Sequence, residues 1–150
     1  MSKKLIFIII ALLIVVGVGY FVYQSSTPNY QQKSASGEIY NNLVYSYSLN
    51  LPESWKGKYL IEERDNTTSF IYNPSSGTKY NLFSIVVYPN SEWQQLKSEP
   101  GFHGTEIIKK DDLVFVYVIS LDNPYTGNEG DEYERMAGEI NSIIKTFEIK

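Results

Sequence analysis

The sequence contains no cysteine and only one histidine, and each absence excludes a class of chemistry. Without cysteine the chain has no disulfide, no thiol nucleophile and no lipid-modified cysteine after a signal peptide. With His103 alone, a metal site that needs two histidines is excluded. The chain also lacks G-x-S-x-G, G-x-G-x-x-G and Walker-type runs, which are common signatures of serine hydrolases and of nucleotide binding.

Basic residues are scarce beyond the first part of the chain. Residues 38–150 hold all 17 acidic residues but only ten of the 13 basic ones, so their net charge is −7. Nucleic-acid binding is driven by clustered lysine and arginine. The adjacent pair Lys109 and Lys110 is followed at once by Asp111 and Asp112. The composition therefore argues against nucleic acid as a partner and against adhesion of this region to anionic lipid.

A long apolar run stands at the N-terminus. Lys3 and Lys4 precede 19 uncharged residues, Leu5 to Tyr23, of which 14 are Leu, Ile, Val or Phe. As a helix this run would be about 28 Å long, close to the roughly 30 Å hydrocarbon core of a bilayer. We predict that residues 1–23 form a short cytoplasmic stub and a transmembrane signal anchor, with residues 5–23 in the membrane. The positive-inside rule then places the remaining chain outside the cytoplasm.

Two alternatives to an anchor stay open. A cleaved signal peptide has an apolar core of 7 to 15 residues followed by small residues. Here the run is longer, and Tyr20, Phe21 and Tyr23 stand where small residues would be wanted, although cleavage near Ser25 or Ser26 remains an alternative. The second alternative is that the apolar run is a buried core helix. Lysine far outnumbers arginine, which we associate with a bacterial protein of the cell membrane.

The chain beyond the run divides into a tether and one domain. Residues 24–37 are rich in Ser and Gln with one Thr, Pro and Gly, and we predict a flexible linker. Residues 38–150 have the usual size of a single domain. Because this domain is expected outside the cytoplasm and has no cysteine, it must be stable without disulfides.

Hydrophobic periodicity indicates strands followed by a helix. Alternating or continuous apolar patterns predict strands over Leu43–Leu51, Lys58–Glu63, Thr68–Tyr72, Tyr80–Tyr88, Thr105–Lys109 and Leu113–Leu121. A short helix is predicted over Ser91–Glu99, with Ser91 as a possible N-cap. The apolar stripe from Tyr133 to Phe147 predicts a final helix at about Asp131–Lys145, before a short edge strand at Phe147–Ile149. The fold class is α+β: an antiparallel sheet with helices packed on it, preceded by one transmembrane helix.

Oxygen-bearing side chains gather before and within the start of the final helix. Weak candidates for a metal site are Asp122, Asn128, Glu129 and Asp131, since Ca²⁺ prefers oxygen ligands. The alternative is a capping box, with Asp131 as N-cap and Glu134 three residues later. A third use of Asp122, Glu129 or Asp131, together with His103, would be acid-base catalysis on a surface substrate.

Tyrosine is abundant, with 13 residues in the chain. Most tyrosines fit strand positions, where aromatic rings pack on a half-buried sheet surface. Tyr125, Trp55 and Tyr59 are candidates for a recognition patch, although a tryptophan just after the strand stop at Pro52 more often plugs the end of a core. Lone His103, between glycines in residues 100–104, is expected to be a solvated loop side chain.

The segment Tyr47–Trp55 and the terminal helix that ends Ile143-Ile144-Lys145-Thr146-Phe147 resemble PsbP-like domains, over most of residues 40–149. The resemblance implies an α/β/α sandwich around an antiparallel sheet and a mainly non-catalytic accessory or binding module; it implies no binding residues here. The sequence thus predicts a membrane-anchored extracytoplasmic module that binds an unknown protein or cell-envelope partner and needs no cofactor. The alternatives are a surface hydrolase that uses carboxylates and a Ca²⁺-stabilised envelope-binding domain.

Overall fold

A computed structural model of the protein describes residues 29–31 and 37–150. They form nine strands, a short 3-10 turn at Glu53–Trp55 and two α-helices, which are α1 (Asn90–Leu96) and α2 (Gly127–Ile144). The strands are β1 (Asn29–Gln31), β2 (Ile39–Asn42), β3 (Tyr47–Asn50), β4 (Tyr59–Arg64), β5 (Thr67–Tyr72), β6 (Tyr80–Pro89), β7 (Thr105–Lys110), β8 (Leu113–Ile119) and β9 (Glu148–Ile149). The predicted transmembrane helix at residues 5–23 lies outside the described residues. Within them, no helix is both long and apolar enough to cross a bilayer.

The strands form two antiparallel sheets. The larger sheet has the order β1-β4-β5-β6-β8-β7, and the smaller one has the order β2-β3-β9. All paired strands are antiparallel. The α+β prediction is therefore confirmed for this part of the chain, as is the short edge strand at the end of the chain. β4-β5 and β7-β8 are hairpins.

The two faces of the larger sheet are covered by different elements. In β8, Phe115 points to the face that packs on α2 and the smaller sheet, while Val114 and Val116 point to the opposite face under Trp93 of α1. This division follows from the two-residue period of a strand, which sends successive side chains to opposite faces. A helix therefore packs on each side of the antiparallel sheet.

The main core lies between the larger sheet, α2 and the smaller sheet. Phe70 of β5 and Phe83 of β6 stack with ring centroids 4.4 Å apart at its centre. The predicted apolar stripe of the last helix is confirmed, because Tyr133, Met136 and Ile140 are buried there. These contacts join α2 to strands that are distant in sequence.

The two-residue period of a strand predicts that Leu82 and Phe83 lie on opposite faces of the central strand β6. The register with β5 shifts between Phe70 and Ile71, so that Phe70 pairs with Phe83 while Ile71 pairs with Asn81. The extra residue on β6 is Leu82, and such a bulge breaks the strict alternation of side chains. Leu82 consequently joins Phe83 in the main core, which corrects the predicted face.

The predicted strand Leu43–Leu51 is confirmed for β3, but its first four residues are the turn of a hairpin and not part of a strand. β2 and β3 are joined by the turn Leu43–Ser46. The Asn42 side-chain oxygen accepts a 2.8 Å hydrogen bond from the Tyr45 N–H, and Ser46 adopts a positive φ of 52°. Asn commonly forms such turns through its side chain. The alternation of Leu43 and Tyr45 therefore reflects turn residues and not one sheet face.

Part of the predicted linker is built into the larger sheet. Residues 29–31 form β1, which pairs antiparallel with β4 so that Asn29 lies opposite Glu63 and Gln31 opposite Ile61. Within the predicted tether of residues 24–37, only residues 24–28 precede this strand. The chain therefore enters the sheet closer to the apolar run than the composition suggested.

The last helix begins four residues earlier than predicted. Its N-cap position is Thr126, so Asp131 lies inside α2 and the Asp131–Glu134 capping box is wrong. The preceding loop folds back on the first turns, where the Asn123 side chain donates a 3.0 Å bond to the Gly130 carbonyl and accepts one of 3.0 Å from the Tyr125 N–H. Ser91 likewise lies inside α1, whose N-cap position is Pro89.

We expect Gly130→Ala to destabilise the fold and Gly138→Ala to stabilise it. A Cβ at Gly130 would lie 2.9 Å from the Tyr125 carbonyl oxygen, whereas a Cβ at Gly138 would meet nothing within 4 Å. Overpacking costs about 1–3 kcal/mol, and alanine is favoured over glycine in a helix by about 0.5–1 kcal/mol. Urea unfolding of the two variants measures the change in the free energy of unfolding. An equal gain in both would contradict the close approach of the loop to α2.

Candidate functional site

Two of the predicted candidates, Tyr125 and Glu129, belong to a group of side chains at the start of α2. We call this group the tyrosine–glutamate cluster: Tyr72, Tyr80, Tyr125, Tyr133, Glu129 and Glu132. It lies where the loop after β5 and the loop after β8 meet the helix. Tyr125 is half-buried at its rim. The ring centroid of Tyr125 is 5.1 Å from that of Tyr72 and 5.5 Å from that of Tyr133. This cluster is therefore the place where the structure brings predicted candidates together.

The tyrosine hydroxyls of the cluster bond to the protein itself. Tyr125 donates to the Thr78 carbonyl at 2.7 Å, and Tyr133 donates to the Asn81 carbonyl at 2.7 Å. Both acceptors lie on or near the start of β6, so the two bonds tie the loop after β8 and α2 to the sheet. Buried or half-buried tyrosines usually find such partners.

Glu132 links three elements. It accepts a 2.8 Å hydrogen bond from the Tyr72 hydroxyl and forms a 2.6 Å ion pair with Lys58. Burial alone would raise the pKa of Glu132, but the bonds from Lys58 and Tyr72 outweigh it and hold that pKa below its usual value. Burial, with the neighbouring Glu132, raises the pKa of Tyr72. Glu132 is thus an ionised acceptor and Tyr72 a neutral donor, so this pair is arranged as a structural tie.

The four candidate metal ligands lie in the loop before α2 and in its first two turns. Glu129 accepts a 3.0 Å hydrogen bond from the Ser76 N–H, while Asp122, Asn128 and Asp131 are exposed. Among residues 29–31 and 37–150, no group of three or more His, Cys, Asp or Glu side chains is placed to hold a metal ion. Calcium binding here stays a prediction.

Trp55 and Tyr59 lie inside the domain. Trp55 is fully buried, Tyr59 is nearly so, and their ring centroids are 5.9 Å apart. The Trp55 indole N–H donates a 2.7 Å bond to Glu139 of α2. Burial raises the pKa of Tyr59 to about 12. The expectation that Trp55 plugs the end of the core is confirmed, and neither ring is presented to solvent as a recognition surface.

His103 lies in the loop between α1 and β7. It follows Phe102, whose ring packs 5.8 Å from that of Trp93 on the α1 side of the larger sheet. Glu129 belongs to α2, which packs on the other face. Phe102, the neighbour of His103, therefore packs on the face of the sheet opposite to α2.

A buried polar network between the two sheets was not predicted. Thr68 accepts hydrogen bonds from the Tyr47 hydroxyl at 2.7 Å and from the Asn42 amide at 3.2 Å. The Tyr40 hydroxyl donates to Glu63, and burial, followed by this bond, raises the pKa of Tyr40 to about 12. The signal available in the sequence was Asn42 before Leu43, a turn-forming residue that marks the end of β2.

Three turns meet at the end of the domain beside this network. We call this the hairpin end: Leu43–Ser46, the β4–β5 turn with Asp65, and the β7–β8 turn with Asp111. Val44 and Tyr45 line a cavity of about 220 Å³ with residues 63–65 and another of about 250 Å³ with Lys110 and Asp111. Ser46, Asp65 and Asp111 are the residues other than glycine that have positive φ in the described chain, one in each turn.

Comparisons with known proteins add no relative. No protein-family model matches the sequence, and searches of curated proteins and of solved structures find no match either. The functional argument therefore depends on the residues and their geometry.

We expect Glu132→Gln to reduce the loss of stability on acidification. Because the folded pKa of Glu132 is depressed, its contribution is present above the unfolded value, 4.5, and is lost as pH falls through the folded pKa. Thermal unfolding of both proteins at pH 7 and in steps below pH 4.5 measures the difference. The destabilisation by Glu132→Gln should be largest at pH 7 and shrink in acid. The exposed neighbour Glu134→Gln is the control, and a difference that does not change with pH would contradict the assignment.

Proposed function

We propose that this chain is a single-pass membrane protein whose extracytoplasmic α+β domain is a non-catalytic accessory module that binds a protein or cell-envelope partner. Residues 5–23 anchor it, and the two lysines before them keep the N-terminus in the cytoplasm. The likeness to PsbP-like domains belongs to the same proposal. It is supported by the helix on each face of an antiparallel sheet and by the sequence of residues 47–55.

The observation that carries the non-catalytic part is the engagement of the tyrosine–glutamate cluster in internal bonds. Glu129 accepts from the Ser76 N–H, Glu132 from Tyr72 and Lys58, and Tyr125 donates to the Thr78 carbonyl. A general acid or base must instead reach a substrate within about 2.6–3.2 Å. These groups hold loops to α2.

The module is tethered tightly. β1 begins at Asn29, so five residues separate the end of the apolar run at Tyr23 from the sheet. Five residues span at most about 18 Å. A domain on so short a tether stays at the membrane surface, where it can engage a partner that is itself in or on the membrane.

We expect the tagged full chain, expressed in a bacterial host, to remain in carbonate-washed membranes with its apolar run uncleaved. Protease added to spheroplasts should remove its C-terminal tag. Chemical cross-linking before solubilisation should capture a discrete envelope partner. Retention in the membrane is expected because the apolar positions of residues 5–23 together favour insertion by about 4–8 kcal/mol.

The matched control is an Ile10→Lys, Ile14→Lys variant, since each lysine near the membrane centre costs about 2.5–3.5 kcal/mol. Gln24→Glu with Ser25→Glu adds two charges outside the run without adding basic residues to that flank, and should leave anchoring intact. A mature chain that starts near Ser26 and is recovered free in solution would overturn the anchor. If the Ile10→Lys, Ile14→Lys variant gives the same cross-linked species as the anchored chain, the binding role at the membrane is overturned.

A further inference from the structure

The hairpin end carries an apolar tip that the fold does not use. Leu43 is 89 % exposed and Val44 is 74 % exposed, at the apex of the β2–β3 turn. The turn itself is formed by other residues, since Asn42 accepts the Tyr45 N–H and Ser46 supplies the positive φ. Leucine and valine are not favoured turn residues. Two adjacent apolar side chains at this apex are therefore not explained by the local structure.

The chain also enters the domain at this end. β1 runs antiparallel to β4, with Asn29 opposite Glu63, next to the β4–β5 turn. Directly opposed residues of antiparallel strands have Cα atoms about 4.5–5.5 Å apart. Glu63 and Val44 line the same cavity. Asn29 and the apolar tip consequently lie on the same side of the domain.

We infer that the hairpin end faces the bilayer and that Leu43 and Val44 enter the lipid interface. This inference depends on the proposed anchor at residues 5–23. The five residues between Tyr23 and Asn29 reach at most about 18 Å, and a flexible chain of that length averages roughly 12 Å. The headgroup region on each side of the hydrocarbon core is itself several ångströms thick. The tether therefore keeps the apolar tip within reach of lipid.

The charges around the tip suit a neutral lipid surface. Arg64, Lys110 and Lys150 line the two cavities beside Val44, together with Glu63, Asp65 and Asp111. With exposed Asp112 of the same β7–β8 turn, there are four acidic side chains and three basic ones, so no attraction to anionic lipid is expected. The occupant is thus the interface of a phosphatidylcholine-like bilayer, contacted by apolar side chains.

The test uses the full chain in phosphatidylcholine vesicles that contain a headgroup-level lipid quencher. Since the chain has no cysteine, one introduced cysteine is its single labelling site. Asp112→Cys places a fluorophore on an exposed residue at the hairpin end. Leu121→Cys places it on a residue that is 73 % exposed beyond the opposite end of β8. We expect severalfold stronger quenching at residue 112 than at residue 121.

Leu43→Asp with Val44→Asp should abolish the excess quenching at residue 112. The control is Leu121→Asp in the chain labelled at residue 112. It replaces an exposed apolar residue by aspartate at the opposite end of the domain and should leave the quenching at residue 112 intact. Both sets of changes are at exposed positions, and unfolding measurements should show little change in stability. Vesicle flotation is measured in parallel and reports the anchor alone.

The outcomes separate the two proposals. A chain that does not float with vesicles overturns the anchor and this inference together. A chain that floats but is quenched equally at residues 112 and 121 overturns the lipid contact and leaves the anchor standing. Excess quenching at residue 112 that appears only at a high protein-to-lipid ratio overturns the inference in favour of contact with a second copy of the chain.

Discussion

The main-chain pairing of β4 with β1 on one side and β5 on the other determines where the chain enters the larger sheet. Because all strands of the larger sheet are antiparallel, the β4–β5 turn, the β7–β8 turn and the start of β1 lie at one end. The smaller sheet places its own turn there through the bonds of Asn42 and Tyr47 to Thr68. The start of β1 and the apolar turn of the smaller sheet thus lie at the same end of the domain, the first through the strand ladder and the second through side-chain bonds to Thr68.

The acidic character of the domain has a structural use. Buried aromatic donors bond to carboxylates from elsewhere in the chain: Trp55 to Glu139 at 2.7 Å, Trp93 to Glu106 at 2.7 Å and Tyr72 to Glu132 at 2.8 Å. Hydrogen bonds to charged acceptors contribute about 1.5–3 kcal/mol, more than neutral ones. In a chain without cysteine, such bonds join helices and strands where a secreted domain could have used disulfides.

Regular apolar patterns made much of the sheet and helix content predictable, whereas features set by tertiary contacts were not. β5 alternates buried and half-buried residues, and α2 buries its apolar stripe. The polar residues of β1 carry no strand signal, because that strand is specified by its pairing with β4. The early start of α2 depends on the close packing of Gly130 against the loop. For the candidate site, sequence placed Tyr125 correctly near the acids but could not show that sheet packing buries Tyr59 or unites Tyr40 with Glu63.

The central claim, that the strand following the apolar run is part of the sheet, is tested most directly by a disulfide between β1 and β4. Tyr30 lies opposite Glu62, and Glu62 lies opposite Ser69 on the next strand. Opposed residues of adjacent strands are close enough for a disulfide, whereas residues two strands apart, about 10 Å, are not. Under mild oxidation, Tyr30→Cys with Glu62→Cys should cross-link rapidly within one chain, and Tyr30→Cys with Ser69→Cys should not. Equal, slow cross-linking of both pairs would contradict the account.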